Sequence, residues 1–174
     1  MATFSEFLST FSSDAKLKGT QFEQFVKWYF LNDPVWKTRI KKTWSFEKWP
    51  LKWHRTDIGT DVILQDRDNK YWAVQAKNYE ASTTTKKDVD KFIADAKGEE
   101  SISGLIWITS TNNFSGPALN TLKRNKVIII DRIALETSIL QYPSSFDKIR
   151  KQTKPAKIPK PDPHQKVAIK IVTE

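Results

Sequence analysis

Hydrophobic positions along the chain fall into two periods. Between residues 20 and 31, Phe22, Phe25, Val26, Tyr29 and Phe30 recur at the spacing that lines one side of an α-helix. A shorter stripe of Phe4, Leu8 and Phe11 predicts a helix over 3–11. From 61 to 77 the period drops to two. The runs 61–65 and 71–77 are joined by Asp-Arg-Asp-Asn-Lys, a polar, turn-forming link, and together predict a β-hairpin. Thr85-x-x-Asp88 has the form of a capping box, opening a helix with Val89, Phe92, Ile93 and Ala96 inward and Gly98 as its stop. Leu105–Thr109 and Val127–Ile130 are continuous apolar runs, as in strands buried on both faces. The segment 117–124 between them reads as a helix, so a right-handed crossover and parallel pairing are expected, with a short helix running through Leu140 afterwards.

The hairpin also predicts chemistry. Side chains in a strand alternate between faces, so Asp61, Ile63 and Gln65 share one side and Tyr71, Ala73, Gln75 and Lys77 share one. Pairing Gln65 with Tyr71 across the five-residue link sets Asp61 opposite Gln75, with Lys77 next along the same face. A carboxylate, an amide oxygen and an ammonium then converge on one spot, which suits a divalent metal held beside a phosphate.

Composition narrows the partners. The 174 residues suffice for one domain with a core plus a tail. No apolar run approaches the ~20 residues of a membrane span, and the start, Met-Ala-Thr-Phe-Ser-Glu, lacks a signal pattern. With no cysteine, disulfides and thiolate metal sites are excluded, which fits a cytoplasmic setting. The two histidines, His54 and His164, cannot build a His-rich site, so any metal is a hard one held by oxygen. His54 is a candidate general base, and more simply a polar surface residue. A net charge of +9 favours a polyanion, leaving DNA, RNA and acidic membrane surfaces open.

Trp36, Trp44, Trp49 and Trp53 are interleaved with lysines and arginines. They read either as buried packing anchors or as a stacking surface for nucleic acid. Arg39, Lys41, Lys42, Lys52 and Arg55 are better candidates for DNA contact than any single tryptophan. Lys86 and Lys87, in the first turn of a helix where the dipole disfavours cations, also point to a phosphate partner, with solvated lysines as the plain alternative. From Pro143, lysines alternating with prolines read as a stiff basic linker over 143–162, and 163–174 turns helical again.

Asp61 in Asp57-Ile-Gly-Thr-Asp61, with Gln75 and Lys77 in Val-Gln-Ala-Lys, resembles the Mrr-like branch of the PD-(D/E)xK nucleases. Gly19-Thr-Gln-Phe22-Glu23 resembles that branch's opening helix, and Ile108-Thr-Ser-Thr-Asn-Asn-Phe-Ser-Gly-Pro-Ala118 its Thr/Ser-rich loop after a strand and before a helix. The resemblance covers about 15–140. It implies an α/β fold, a PD-(D/E)xK restriction-endonuclease-like core with a central mixed β-sheet flanked by helices. It implies that Asp61, Gln75 and the carbonyl of Ala76 bind Mg²⁺, that Lys77 orients the attacking water and steadies the phosphorane, and that Glu23 lies near the metal or the lysine. Without the resemblance Glu23 is an ordinary residue at the edge of an apolar stripe. Asp57 is a weaker ligand candidate, better suited to shaping the entry to the strand. Gln75 departs from the Glu or Asp of many PD-(D/E)xK members, and a neutral ligand lowers metal affinity.

The last segment resembles the Gln-containing entry helix of a superfamily-two helicase, which gives Gln165 an adenine-reading role. The order of nuclease (1–142), linker (143–162) and truncated helicase start (163–174) resembles the single-polypeptide Type I (ISP) restriction-modification enzymes. That implies a cleavage module without sequence specificity of its own, acting on double-stranded DNA. Its partners would be the helicase, methyltransferase and target-recognition domains of the same polypeptide, with no membrane. Two other readings stand beside it: a nuclease-like fold serving as an inactive DNA clamp, and an RNA-processing nuclease.

Overall fold

The hairpin is the centre of a five-stranded mixed sheet in a computed structural model that describes residues 2–53 and 59–151. Strands β1 (Ile40–Ser45), β2 (Val62–Asp66), β3 (Tyr71–Lys77), β4 (Ile102–Thr109) and β5 (Ile128–Ile130) lie side by side in chain order. The first three pair antiparallel, whereas β3 to β5 pair parallel through helical crossovers. The hairpin closes in the expected register, Gln65 opposite Tyr71 and Val62 opposite Val74. Its turn is held by the Asp66 carboxylate, which accepts from the N–H groups of Asp68 and Lys70 at 2.9 Å, while Asn69 takes a left-handed φ of 63°.

Each face of the sheet has its own cover. Val62, Leu64, Val74, Ala76, Ile106 and Ile108 pack on α2 (Ala15–Asn32), whose Phe22, Phe25, Val26, Tyr29 and Phe30 are buried as their spacing requires. Helices α1 (Phe4–Leu8), α5 (Arg132–Thr137) and α6 (Asp147–Lys151) complete that layer. Ile63, Ala73, Leu105 and Trp107 face α3 (Lys86–Ala96) and α4 (Gly116–Arg124). The capping box of α3 forms as read, Thr85 and Asp88 exchanging bonds, and Val89, Phe92, Ile93 and Ala96 are its buried residues.

Helix α2 begins at Ala15, ahead of the stripe read from 20, and α5 ends at Thr137 rather than running through Leu140. Three further features differ from the sequence reading. First, β1 is a strand where none was expected. Lys41 and Lys42 both face solvent because the register shifts between Ile40 and Lys42, and this irregularity erases the two-residue period. Second, α1 ends at Leu8 and buries Phe4 and Phe7, whereas Leu8 is only half-buried. Third, the core continues beyond 142: Phe146 and Ile149 are 4% and 3% exposed, and Phe146 packs edge-on against Phe11. The stretch read as linker from 143 therefore contributes to the domain through Ile149. Residues 152–174, with Gln165 and the helicase-like start, lie outside the described residues, as do His54, Arg55 and Asp57.

The tryptophans mostly pack. Trp49 is 2% exposed and meets Trp53 and Tyr71 edge-on. Trp53 donates from Nε1 to Asp95 at 3.2 Å. Trp72 lies over Gly104, where a Cβ would fall 2.2 Å from its ring, and its Nε1 donates to Asp66 at 3.0 Å. Since the indole is tethered, Gly104→Ala must displace it. The expected cost is about 1–3 kcal/mol, read as a lower midpoint in chemical unfolding followed by tryptophan fluorescence. An unchanged midpoint would contradict the packing described here.

Candidate active site

Trp53 and Thr60, on the approach to Asp61 and β2, share one carboxylate. Asp95 on α3 accepts from Trp53 Nε1 on one side and from Thr60 Oγ1, at 3.0 Å, on the other. Between them Gly59 passes α3 so closely that a Cβ would sit 3.3 Å from the backbone of Phe92, and its φ of +143° disfavours any other residue. This approach delivers Asp61 to the edge of the strand, where its N–H donates to the Val74 carbonyl and its carbonyl accepts from Phe46, both at 2.9 Å.

The Asp61 side chain is 8% exposed and that of Gln75 is 4% exposed. Their meeting is the centre of the site. Oδ2 of Asp61 accepts from the Ala76 backbone N–H at 2.8 Å and from Gln75 Nε2. A carboxylate removed from water needs such donors, and these fix its oxygen beside β3. Gln75 stands in register with Trp107, on the side covered by α3 and α4, and alternation puts the half-buried Lys77 on that same side.

The site therefore sits at one rim of the sheet, where β2 begins and the parallel strands end. Helices α3 and α4 start at the same rim, capped by Thr85 and Ser115. The loops leading into them are stitched together: Thr84 N–H donates to the Asn113 carbonyl at 2.8 Å, and Ser115 N–H to the Thr84 carbonyl at 3.0 Å. Carboxyl ends of parallel strands are where open α/β sheets place ligands.

The other candidate residues are spread more widely. Lys86 and Lys87 lie at this rim, exposed, with Lys86 also paired to Asp90 at 2.5 Å. Lys52 is exposed and donates to the Glu47 carbonyl at 3.1 Å. Arg39, Lys41 and Lys42 belong to the far end of β1, opposite Asp66 and Gln65. At about 3.4 Å per residue, that end is roughly 13–17 Å from Asp61. There Arg39 stacks over Trp36 at 5.1 Å and Lys42 over Trp44 at 5.0 Å, while Lys41 donates to Asn69.

Glu23 is on α2, which covers the opposite face from Gln75. Its charge acts on Lys27 one turn along. Burial, and then the repulsion of Lys48, holds the Lys27 ammonium below the usual lysine range, and Lys27 donates to Ser45 at 2.9 Å.

Sequence reasoning missed Ser110. It is 1% exposed and bonds to the chain on either side of Lys77's exit from β3, a role hidden in a Thr/Ser-rich loop where any hydroxyl looked equivalent. It also missed Asp95, which reads as a helix-surface residue until the connection before β2 is placed against it.

The family described as restriction endonuclease matches residues 31–154, most of the domain just described. The chain belongs to this restriction endonuclease family, in its Mrr-like branch. Among solved structures, an ATP-dependent Type ISP restriction-modification enzyme, LlaBIII bound to DNA, aligns with 69% of this chain at 22% identity and a TM-score of 0.59. The aligned part is 8% of that much longer protein, so the likeness is one of fold. A repair endonuclease from Pyrococcus abyssi overlaps loosely, over 48% of this chain and 33% of that one, at 13% identity and a TM-score of 0.31. No curated protein matches the sequence. The fold of this restriction endonuclease domain is thus the expected one, a mixed sheet flanked by helices. Among its described residues no helix is long and apolar enough to cross a membrane.

The donor set is all oxygen: the Asp61 carboxylate, the Ala76 carbonyl and the Gln75 amide, whose oxygen replaces its nitrogen when the terminal amide turns over. Such a set fits a hard divalent cation. Among the described residues no three acidic or histidine side chains gather, so the negative charge offered is small. Gln75→Glu should expose that arithmetic. With EDTA, two adjacent buried carboxylates should lower the melting temperature by several degrees, about 1–3 kcal/mol at roughly 2–4 °C per kcal/mol. Excess Mg²⁺ should restore it, and more than it stabilises the wild type. An equal response of the two proteins to Mg²⁺ would place the cation elsewhere.

Proposed function

We propose that this domain is a Mg²⁺-dependent endonuclease that hydrolyses DNA phosphodiester bonds without sequence specificity of its own. In this reading it is the cleavage module of an ATP-driven restriction-modification enzyme. The observation that supports it best is the joining of Asp61 at the start of β2 to Gln75 and Ala76 near the end of β3. Family membership and the fold shared with a Type ISP enzyme point the same way.

Asp61, Gln75 and the Ala76 carbonyl would hold the cation. When bound, Mg²⁺ supplies Lewis-acid polarisation of the scissile phosphate and eases ionisation of the attacking water. Lys77 orients that water and stabilises the charge that builds on the pentavalent phosphorus. Glu23, on the helix over the opposite face of the sheet, would steady Lys77 or an outer water in this reading. Lys86 and Lys87 take backbone phosphates at the rim. Arg39, Lys41 and Lys42 meet the same duplex about five base pairs away, at roughly 3.4 Å per pair. Lys52 and Arg55 add further phosphate contacts in this reading. Double-stranded DNA is the substrate, and helicase, methyltransferase and target-recognition domains on the same polypeptide deliver it.

The clamp reading draws on Gln75, whose neutral amide already satisfies Asp61. Nicking of supercoiled plasmid separates the two. The wild type with Mg²⁺ should yield open circles, and EDTA or Asp61→Ala should abolish them. Lys77→Ala should slow nicking by about a hundredfold or more. Nicking that survives Asp61→Ala contradicts the site, and DNA binding without nicking, even in the parent polypeptide with ATP, favours the clamp.

A further inference from the structure

We propose that Ser110 is a positioning residue for Lys77, acting through the main chain where the lysine leaves the sheet. The inference rests on the nuclease reading for its consequence, although its geometry stands apart from it. Lys77 is the last residue of β3 and pairs with Thr109, the last of β4. A strand end with no further ladder bond frays. Here the ladder gains one more bond, from the Ser110 N–H to the Lys77 carbonyl at 3.1 Å. The Ser110 hydroxyl then accepts from the Tyr79 N–H at 2.9 Å. It donates to Asn78 Oδ1 at 2.6 Å, with the Tyr79 carbonyl at 3.0 Å as its second acceptor. One buried side chain therefore holds the two residues that follow Lys77, and its own amide holds Lys77.

Ser110 is itself anchored. Its carbonyl accepts from Arg132 Nη1 at 3.2 Å, and that guanidinium also grips Glu136 at 2.8 Å and Ser5 at 2.7 Å. The loop after β4 is thus tied to α5 and α1 on one side and to the exit of β3 on the other. A lysine ammonium ends four rotatable bonds from its Cα, so its placement depends on a fixed backbone. Hydroxyl-bearing loops at strand ends are common. Here the same hydroxyl serves both residues beyond a proposed catalytic group and is 1% exposed.

The test is a double-mutant cycle on plasmid nicking in the full chain, with Ser110→Ala, Lys77→Ala and the pair. Ser110→Ala should lower kcat by about tenfold to a hundredfold, leave KM within twofold, and have no further effect once Lys77 is alanine. An equal loss in both backgrounds, or a raised KM with kcat unchanged, overturns the proposal. Asn78→Ala breaks the same bridge from its half-buried side and should reproduce the kcat loss if Ser110→Ala folds poorly. A wild type that never nicks fails the nuclease reading, and hydrogen exchange then judges Ser110 on its own. Ser110→Ala should speed exchange at the Ser110 and Tyr79 amides while Val74 and Ile93 keep their protection. Unchanged exchange at Tyr79 overturns it.

Discussion

A carboxylate taken out of water must be given hydrogen-bond donors, and Asp61 finds its donors on a neighbouring strand. Ala76 N–H and Gln75 Nε2 both reach the same oxygen, which welds the beginning of β2 to the end of β3. Everything around that junction serves to make it possible. Gly59 lets the backbone slip past Phe92. Asp95 ties Trp53 and Thr60 to α3. Trp49, Trp53, Phe46 and Tyr71 pack together on the same side of the sheet. The junction is thus held between paired strands with a packed layer behind it.

Much of this was legible from residue order. Strand pairing has a fixed side-chain period, so counting outward from Gln65 and Tyr71 was enough to set Asp61 beside Gln75. Helices α2 and α3 were equally clear because their buried residues recur at three and four, and the cap of α3 is explicit, although the first turn of α2 lies ahead of its apolar stripe. What escaped was whatever broke a period or depended on distant partners. Strand β1 hid behind two consecutive exposed lysines at a register irregularity. Phe146 and Ile149 sit singly among polar residues in a stretch that turns basic and proline-rich, and only the pocket formed with Phe11 shows why they are buried. Ser110 could not be told from Thr109 or Thr111, since its partners lie some 31 to 33 positions back along the chain.

The basic charge divides in the same spirit. Lys86 and Lys87 share the rim with the site, whereas Arg39, Lys41 and Lys42 line the remote end of an edge strand. Cations of the same chain stack on Trp36 and Trp44. The rings pack with one side and hold a charge on the other. An edge strand rich in lysine also resists pairing with a second chain, which gives those residues a structural reason to exist beyond any contact with DNA.

In the proposed nuclease one divalent cation sits between Asp61, Gln75 and Ala76. Paramagnetic broadening by Mn²⁺ in an amide-resolved NMR spectrum tests it most directly. At substoichiometric Mn²⁺ the signals of Asp61, Gln75, Ala76 and Lys77 should vanish first, and Asp61→Asn should abolish that selectivity. Broadening that begins instead at the acidic turn of Asp66 and Asp68, or that is the same in Asp61→Asn, would contradict it.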